Sequence, residues 1–136
     1  YRVSGVKYYK QLDPKRRGQN IYKLDADKHP PELIMNNFTT RLGMRIGRMI
    51  QTVFPKQPEF KGRRVVTFHN QRDFIFCRHH QYQFVDNGKD VILNEIGPRF
   101  TLRLEKLQLG TFNVKFGEYE WYFKQKMETT RRRFFL

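Results

Sequence analysis

The sequence predicts an α+β domain: one amphipathic helix and an antiparallel or mixed β-sheet. Three observations predict it. Residues 39–54 carry the only sustained 3.6-residue apolar period. Residues 65–104 read as a run of β-strands, the last of which alternates apolar and polar side chains as a half-buried strand does. Within that run, Asp86-Asn87-Gly88-Lys89 is a hairpin signal, because Asn-Gly tolerates the positive φ of a tight turn.

Taken in order, Tyr1 to Tyr9 reads as one strand within a basic, weakly patterned segment that runs to residue 37. Asp13-Pro14 reads as a turn, and His29-Pro30-Pro31 stops whatever element precedes it. The helix follows. Thr39 or Thr40 caps its start, and Leu42, Ile46, Met49, Ile50, Val53 and Phe54 form its apolar face. Pro55 ends it. Gly43 and Gly47 lie on one flank, where another backbone can approach closely. Arg41, Arg45 and Arg48 form a stripe on the other flank. After a loop from Pro55 to Gly62, Val65 to Phe68 is a short strand and His69 to Asp73 a polar connection. Phe74 to Phe84 is an aromatic strand and Val91 to Ile96 its return. Gly97-Pro98 bends the chain into a strand in which Phe100, Leu102 and Leu104 alternate with Thr101, Arg103 and Glu105. Val65, Phe68, Leu102 and Leu104 are core. The tail, about 110–136, fits no regular element.

Length and charge bound the function. A chain of 136 residues is one domain or a half-domain. It carries 27 Lys and Arg against 13 Asp and Glu, a formal net charge of +14. That excess repels itself unless an anionic partner offsets it, which places nucleic acid first, an acidic protein second and a membrane surface third. Aromatics at 15% argue for a packed fold over a disordered basic tail. The single cysteine, Cys77, excludes a disulfide framework and a cysteine-based zinc site, and suits a reducing compartment. No apolar run is long enough to span a bilayer, and no signal peptide opens the chain. Opening on Tyr1 instead of Met points to sequence upstream.

No catalytic or cofactor motif is embedded here. His79 and His80 are neighbours on a strand, so they point to opposite faces and do not share an ion. Glu118 and Glu120 share a face if their segment is extended, but Arg-paired or solvated carboxylates are the common case. There is no phosphate-binding glycine loop, nucleophile elbow or Walker-type lysine. The basic residues are the candidates instead: Arg41, Arg45, Arg48, Arg63, Arg64, Arg72, Arg78, His80, Arg99, Arg103, Arg131, Arg132 and Arg133, each either a phosphate contact or a solvated charge. Gly97 needs a conformation that a β-carbon disfavours, and with Pro98 it aims Arg99 away from the strand beginning at Phe100. Phe74, Phe76, Tyr82 and Phe84 either stack on unpaired bases or pack the core, the second being the expectation for most of them.

Several segments together carry a resemblance. They are Pro31 to Gly43, Val65 to Phe76, Glu95 to Leu102, Gly117 to Trp121 and the ending Arg132 to Leu136. The chain is similar over roughly residues 31–136 to the Brix-domain ribosome assembly factors. Glu95 to Phe112 resembles the sigma-factor-like motif of that family. The resemblance implies a domain of two similar α/β halves, anticodon-binding-like in fold, of which this chain resembles the C-terminal half, with Tyr1 near the junction. It also implies a nucleolar, non-enzymatic factor without cofactor or metal, bound to ribosomal RNA of the large-subunit precursor and needed for its processing without cutting it. A dedicated assembly partner is implied too, resembling maintenance of killer protein 16, alongside other proteins of the large-subunit precursor. Cys77, Gln83 and the basic stretch Lys10 to Lys23 depart from the family pattern. The alternative is a protein-interaction module whose basic face binds an acidic assembly partner and touches RNA little.

Overall fold

A computed structural model describes residues 1–17, 29–57, 60–110, 113, 115–129 and 133–136. The strands are β1 (Arg2–Lys7), β2 (Glu32–Asn36), β3 (Arg64–Gln71), β4 (Phe74–Val85), β5 (Asp90–Glu95), β6 (Arg99–Arg103), β7 (Lys106–Gln108) and β8 (Tyr119–Tyr122). The one helix among the described residues of more than five residues is α1 (Arg41–Gln51). The predicted α+β class holds. The main sheet runs β1-β6-β4-β3-β2, with β5 beside the far end of β4, and β7 and β8 form a small second sheet. Only β2 and β3 pair in parallel; α1 makes the crossover between them that parallel strands require.

The helix starts where Thr40 accepts a hydrogen bond from the Gly43 amide at 2.9 Å, and it is shorter than the predicted 39–54. Ile46 is fully buried, with Leu42, Ile50 and Phe54 packed beside it. Met49 and Val53, expected on that face, are exposed. The helix ends at Gln51, so Val53 falls in a turn and is 80% exposed. The glycine flank does admit a close approach: a β-carbon on Gly43 would lie 2.5 Å from the carbonyl carbon of Leu136. The segment ending at Leu136 is clasped there. Thr40 donates to the Phe135 carbonyl at 2.6 Å, and one Asp73 oxygen accepts from the amides of Phe135 and Leu136 at 2.8 and 2.9 Å. Asn70, buried, donates to the carbonyls of Asn37 and Leu136. This ending thus fills part of the core, and within the tail expected to fit no element Tyr119–Tyr122 forms β8, paired with β7.

Two further boundaries differ from expectation. β3 continues to Gln71 and turns back within two residues, Arg72 and Asp73, at φ 52° and 65°. Aspartate tolerates this left-handed geometry, so a tight hairpin forms without glycine. The Asp86–Lys89 hairpin forms as predicted, with positive φ at Asp86, Asn87 and Gly88. Glu32–Asn36, read as unpatterned, is a strand.

Register decides what each face carries. Val66, Phe68, Ile75, Cys77, Phe100, Leu102 and Leu104 lie on the side that α1 covers and form the core with Ile46, Leu107 and Leu136. Burial pushes the Cys77 thiol up to about 11, so it stays protonated there. Residues of opposite parity lie on the side facing away from α1, where Val65 and Glu95 are nonetheless buried.

Candidate nucleic-acid interface

The side of the sheet away from α1 is where the strands bring arginines and aromatics together. Along β4 the residues of this parity are Phe74, Phe76, Arg78, His80, Tyr82 and Phe84. β6 adds Thr101 and Arg103, in register with Phe76 and Phe74, and Arg99 at its start. Phe74 and Phe84 are exposed, the latter by 53%, so the expectation that most of these aromatics pack the core fails for both. The reason is parity. The strand is most aromatic on the side facing away from the helix.

Each of three rings carries a guanidinium over it. Arg63 lies 5.7 Å from the centroid of Phe84, Arg78 5.6 Å from Phe76, and Arg103 5.2 Å from Phe74. Arg103 also lies 4.4 Å from Phe123. A ring beneath a guanidinium leaves the planar fork's edges able to donate to phosphate oxygens while restricting its motion. Arg78 is further fixed by donating to the carbonyls of Cys77 and Phe100. Tyr82 donates to Glu32 at 2.6 Å; that bond to the carboxylate, more than burial, raises its hydroxyl to about 12.

The other candidates separate from this group. Arg41, Arg45 and Arg48 line an open groove of about 700 Å³ with Leu42, Met44, Glu120 and Trp121, on the helix side of the molecule. Arg45 pairs there with Glu120 at 2.9 Å, which makes Glu120 an arginine-paired carboxylate. Arg64 donates to the His29 carbonyl, and Arg72 sits exposed at the tip of the β3–β4 turn. Arg133 is exposed; Arg131 and Arg132 lie outside the described residues.

Arg99 requires a correction. Expected to be aimed away from the strand beginning at Phe100, it forms a bidentate pair with Glu95, Nε to Oε1 at 2.6 Å and Nη2 to Oε2 at 2.7 Å. Glu95 is only 2% exposed, and the Arg99 fork is the partner its buried carboxylate has. Gly97 does hold positive φ (64°), in a cis Gly97-Pro98 bend where a β-carbon would meet the Tyr9 amide at 3.3 Å.

The histidines divide as strand neighbours must. His79, on the helix side, has its Nδ1 2.9 Å from the Gly97 carbonyl. Burial pulls its imidazole below the usual value, with Arg64 and His80 adding to that and the Gly97 bond opposing it. His80, on the open side, is also pulled down, first by burial and then by Arg78 and Arg99, against the pull of Glu95. Sequence reasoning missed Lys15 and Arg16. The Arg16 carbonyl accepts from the Glu95 amide at 2.9 Å, which pins this segment beside His80. Among the described residues, no three of His, Cys, Asp and Glu gather as a metal site. No helix among the described residues is long and apolar enough to cross a membrane.

A mixed sheet backed by one helix, with an arginine–aromatic face, agrees with what the sequence comparisons give. The Brix domain matches residues 2–106, and this chain belongs to the Brix-domain family. It is 54% identical over 137 residues to Ribosome production factor 1 of Danio rerio, covering 100% of this chain and 39% of that one. Ribosome production factor 1 of Mus musculus is 53% identical over 137 residues (100% and 37%), and that of Saccharomyces cerevisiae 50% over 108 residues (79% and 35%). The chain thus spans less than two-fifths of the length of these relatives.

Proposed function

We propose that this chain is the RNA-binding C-terminal half of a Brix domain in a non-enzymatic ribosome assembly factor. Similarity to proteins named ribosome production factors supports the assembly role. The proposed RNA is ribosomal RNA of the large-subunit precursor, whose processing the factor serves in the nucleolus. One observation carries the RNA reading: three arginines lie over three aromatic rings along the sheet face away from α1. Guanidiniums over rings offer phosphate donors beside apolar surfaces on which unpaired bases stack, the combination that single-stranded and loop RNA needs. Arg63, Arg78, His80 and Arg103 form the principal contact set. Arg41 and Arg48 on the helix side form a second, smaller one. Arg99 acts by holding Glu95.

A second reading has its own observation. Phe84, Val91 and Leu93 are exposed on the same face of the β4–β5 hairpin, which suits a protein partner such as one resembling maintenance of killer protein 16. Salt separates the two. Binding of a ribosomal RNA fragment should weaken linearly with the logarithm of salt concentration, by about 0.7 in slope per phosphate contacted. The double variant Arg63→Glu, Phe84→Ala, altered only at exposed positions, should weaken it at every salt concentration. RNA affinity unchanged in that variant, together with displacement of the RNA by an acidic protein, would favour the interaction module.

A further inference from the structure

We infer that the pocket where the Lys15–Arg16 segment crosses the β4–β5–β6 junction seats one backbone phosphate of the bound RNA. This rests on the RNA-binding reading above and adds a site to it. The pocket is open, about 380 Å³ in volume. Four cationic side chains line it: Lys15 and Arg16 from the segment, Arg78 from β4 and Arg99 from β6. One carboxylate, Glu95, faces them.

That carboxylate is used up. Both Glu95 oxygens accept from Arg99, at 2.6 and 2.7 Å, and among the described residues no carboxylate pairs with Lys15, Arg16 or Arg78. Among the described residues, the remaining cations therefore line one pocket with no second carboxylate between them. Arg78 shows the consequence: burial first, then the nearby charges of Arg99 and Arg16, pull it below the ordinary guanidinium value, with Glu95 opposing. A phosphate placed among them relieves that repulsion, and planar guanidinium forks match its oxygens. His80 lines the same pocket and can donate a ring N–H to the anion.

The surroundings favour RNA over a free anion or an acidic peptide. Leu93 at the rim is 58% exposed, an apolar wall for a ribose or base, and the adjoining Arg78 already lies over Phe76. A nucleotide with its phosphate in the pocket would continue onto the arginine–aromatic row. The segment's position is fixed by the Glu95-to-Arg16 backbone hydrogen bond, so the two added cations are held at the sheet and do not trail from it.

The test uses the 136-residue chain and three forms of it: wild type, Lys15→Glu/Arg16→Glu, and a control of equal charge, Lys56→Glu/Lys115→Glu, whose exposed lysines do not line the pocket. Binding of a ten-nucleotide uridine RNA is followed against salt, and the His80 ring protons by NMR. We expect the pocket variant to lose about 0.7 from the slope relative to the control, one phosphate for a single strand, and RNA to perturb His80 in wild type and control only. If wild type binds RNA with a steep salt dependence but the pocket variant matches the control in slope and in His80 response, the pocket assignment is overturned while the RNA reading stands. If wild type shows no salt-dependent RNA binding, the RNA reading fails and the pocket assignment with it. His80 responding to inorganic phosphate or a phosphoserine peptide but not to RNA would reassign the pocket to a protein anion.

Discussion

The two faces of the main sheet are made from the same short stretches of chain, yet they obey different rules. On the helix side, Ile75 and Ile46 are fully buried in the main core cluster. On the open side, Phe74, one residue away, is exposed beneath Arg103. The contrast teaches that on β4 residue type is a poor guide to role and strand parity a good one. The parity with four aromatics faces outward. The parity with Ile75, Cys77, His79 and Gln81 faces inward.

The sharpest way to break this comparison is to truncate neighbours. Ile75→Ala should cost about 2–5 kcal/mol, the range for emptying a filled core site. Phe74→Ala should cost no more than about 1 kcal/mol, because its ring meets solvent and a guanidinium. Urea unfolding of both variants decides it. Equal losses would mean that the open face is as tightly packed as the other.

Arginines make the next contrast. Arg99→Ala leaves the Glu95 carboxylate buried without its partner and should cost about 3 kcal/mol. Arg63→Ala, exposed over Phe84, should stay within about 0.5 kcal/mol. Thermal unfolding of the two variants would measure this, and a stable Arg99→Ala protein would return Arg99 to the surface set.

The helix glycines sharpen the closed side. Gly43→Ala places a β-carbon against the Leu136 backbone, which must shift, so a loss of about 1–3 kcal/mol is expected. Gly47→Ala meets only ordinary contacts, the nearest being Met35 at 3.5 Å. It should stabilise by about 0.5 kcal/mol through helix propensity. Opposite signs in the two melting temperatures are the predicted outcome.

The smallest effect is in pH. Folding keeps His79 and His80 below the usual imidazole value, so the folded state binds fewer protons than the unfolded chain once the pH falls toward about 6.5. Their contribution is neutral above that value. Below it, stability is lost until the pH passes the depressed folded value. Melting temperatures at pH 7.5 and 5.5 should fall more for wild type than for His79→Gln, and an equal fall would assign the acid sensitivity elsewhere.

Much of this was legible in the sequence because it depends on local pattern. The Thr40 cap, the Ile46 face and the Phe100-Leu102-Leu104 alternation each need only a few neighbouring residues. The Asn87-Gly88 hairpin needs only a turn. What was not legible depends on partners distant in the chain. Glu32–Asn36 is five residues long and becomes a strand by pairing in parallel with β3. The fate of Arg99 depends on the register that seats Glu95 opposite His80. Lys15 and Arg16 gain significance only because their segment crosses the sheet, and the last residues count as core only because Gly43 and Asp73 receive them. The resemblance to the Brix family came from motifs on β3, on β6 and at the ending, where local sequence and fold coincide.

The most direct test of the open face as the RNA surface is ultraviolet crosslinking of the chain to bound ribosomal RNA, with the attached peptides located by mass spectrometry. Aromatic rings that stack on bases crosslink well when they touch them. The account predicts attachment on β4, at Phe74, Phe76 or Phe84, and on β6 beside Arg103. Crosslinks confined to α1 and the groove around Trp121, with β4 unmarked, would contradict it.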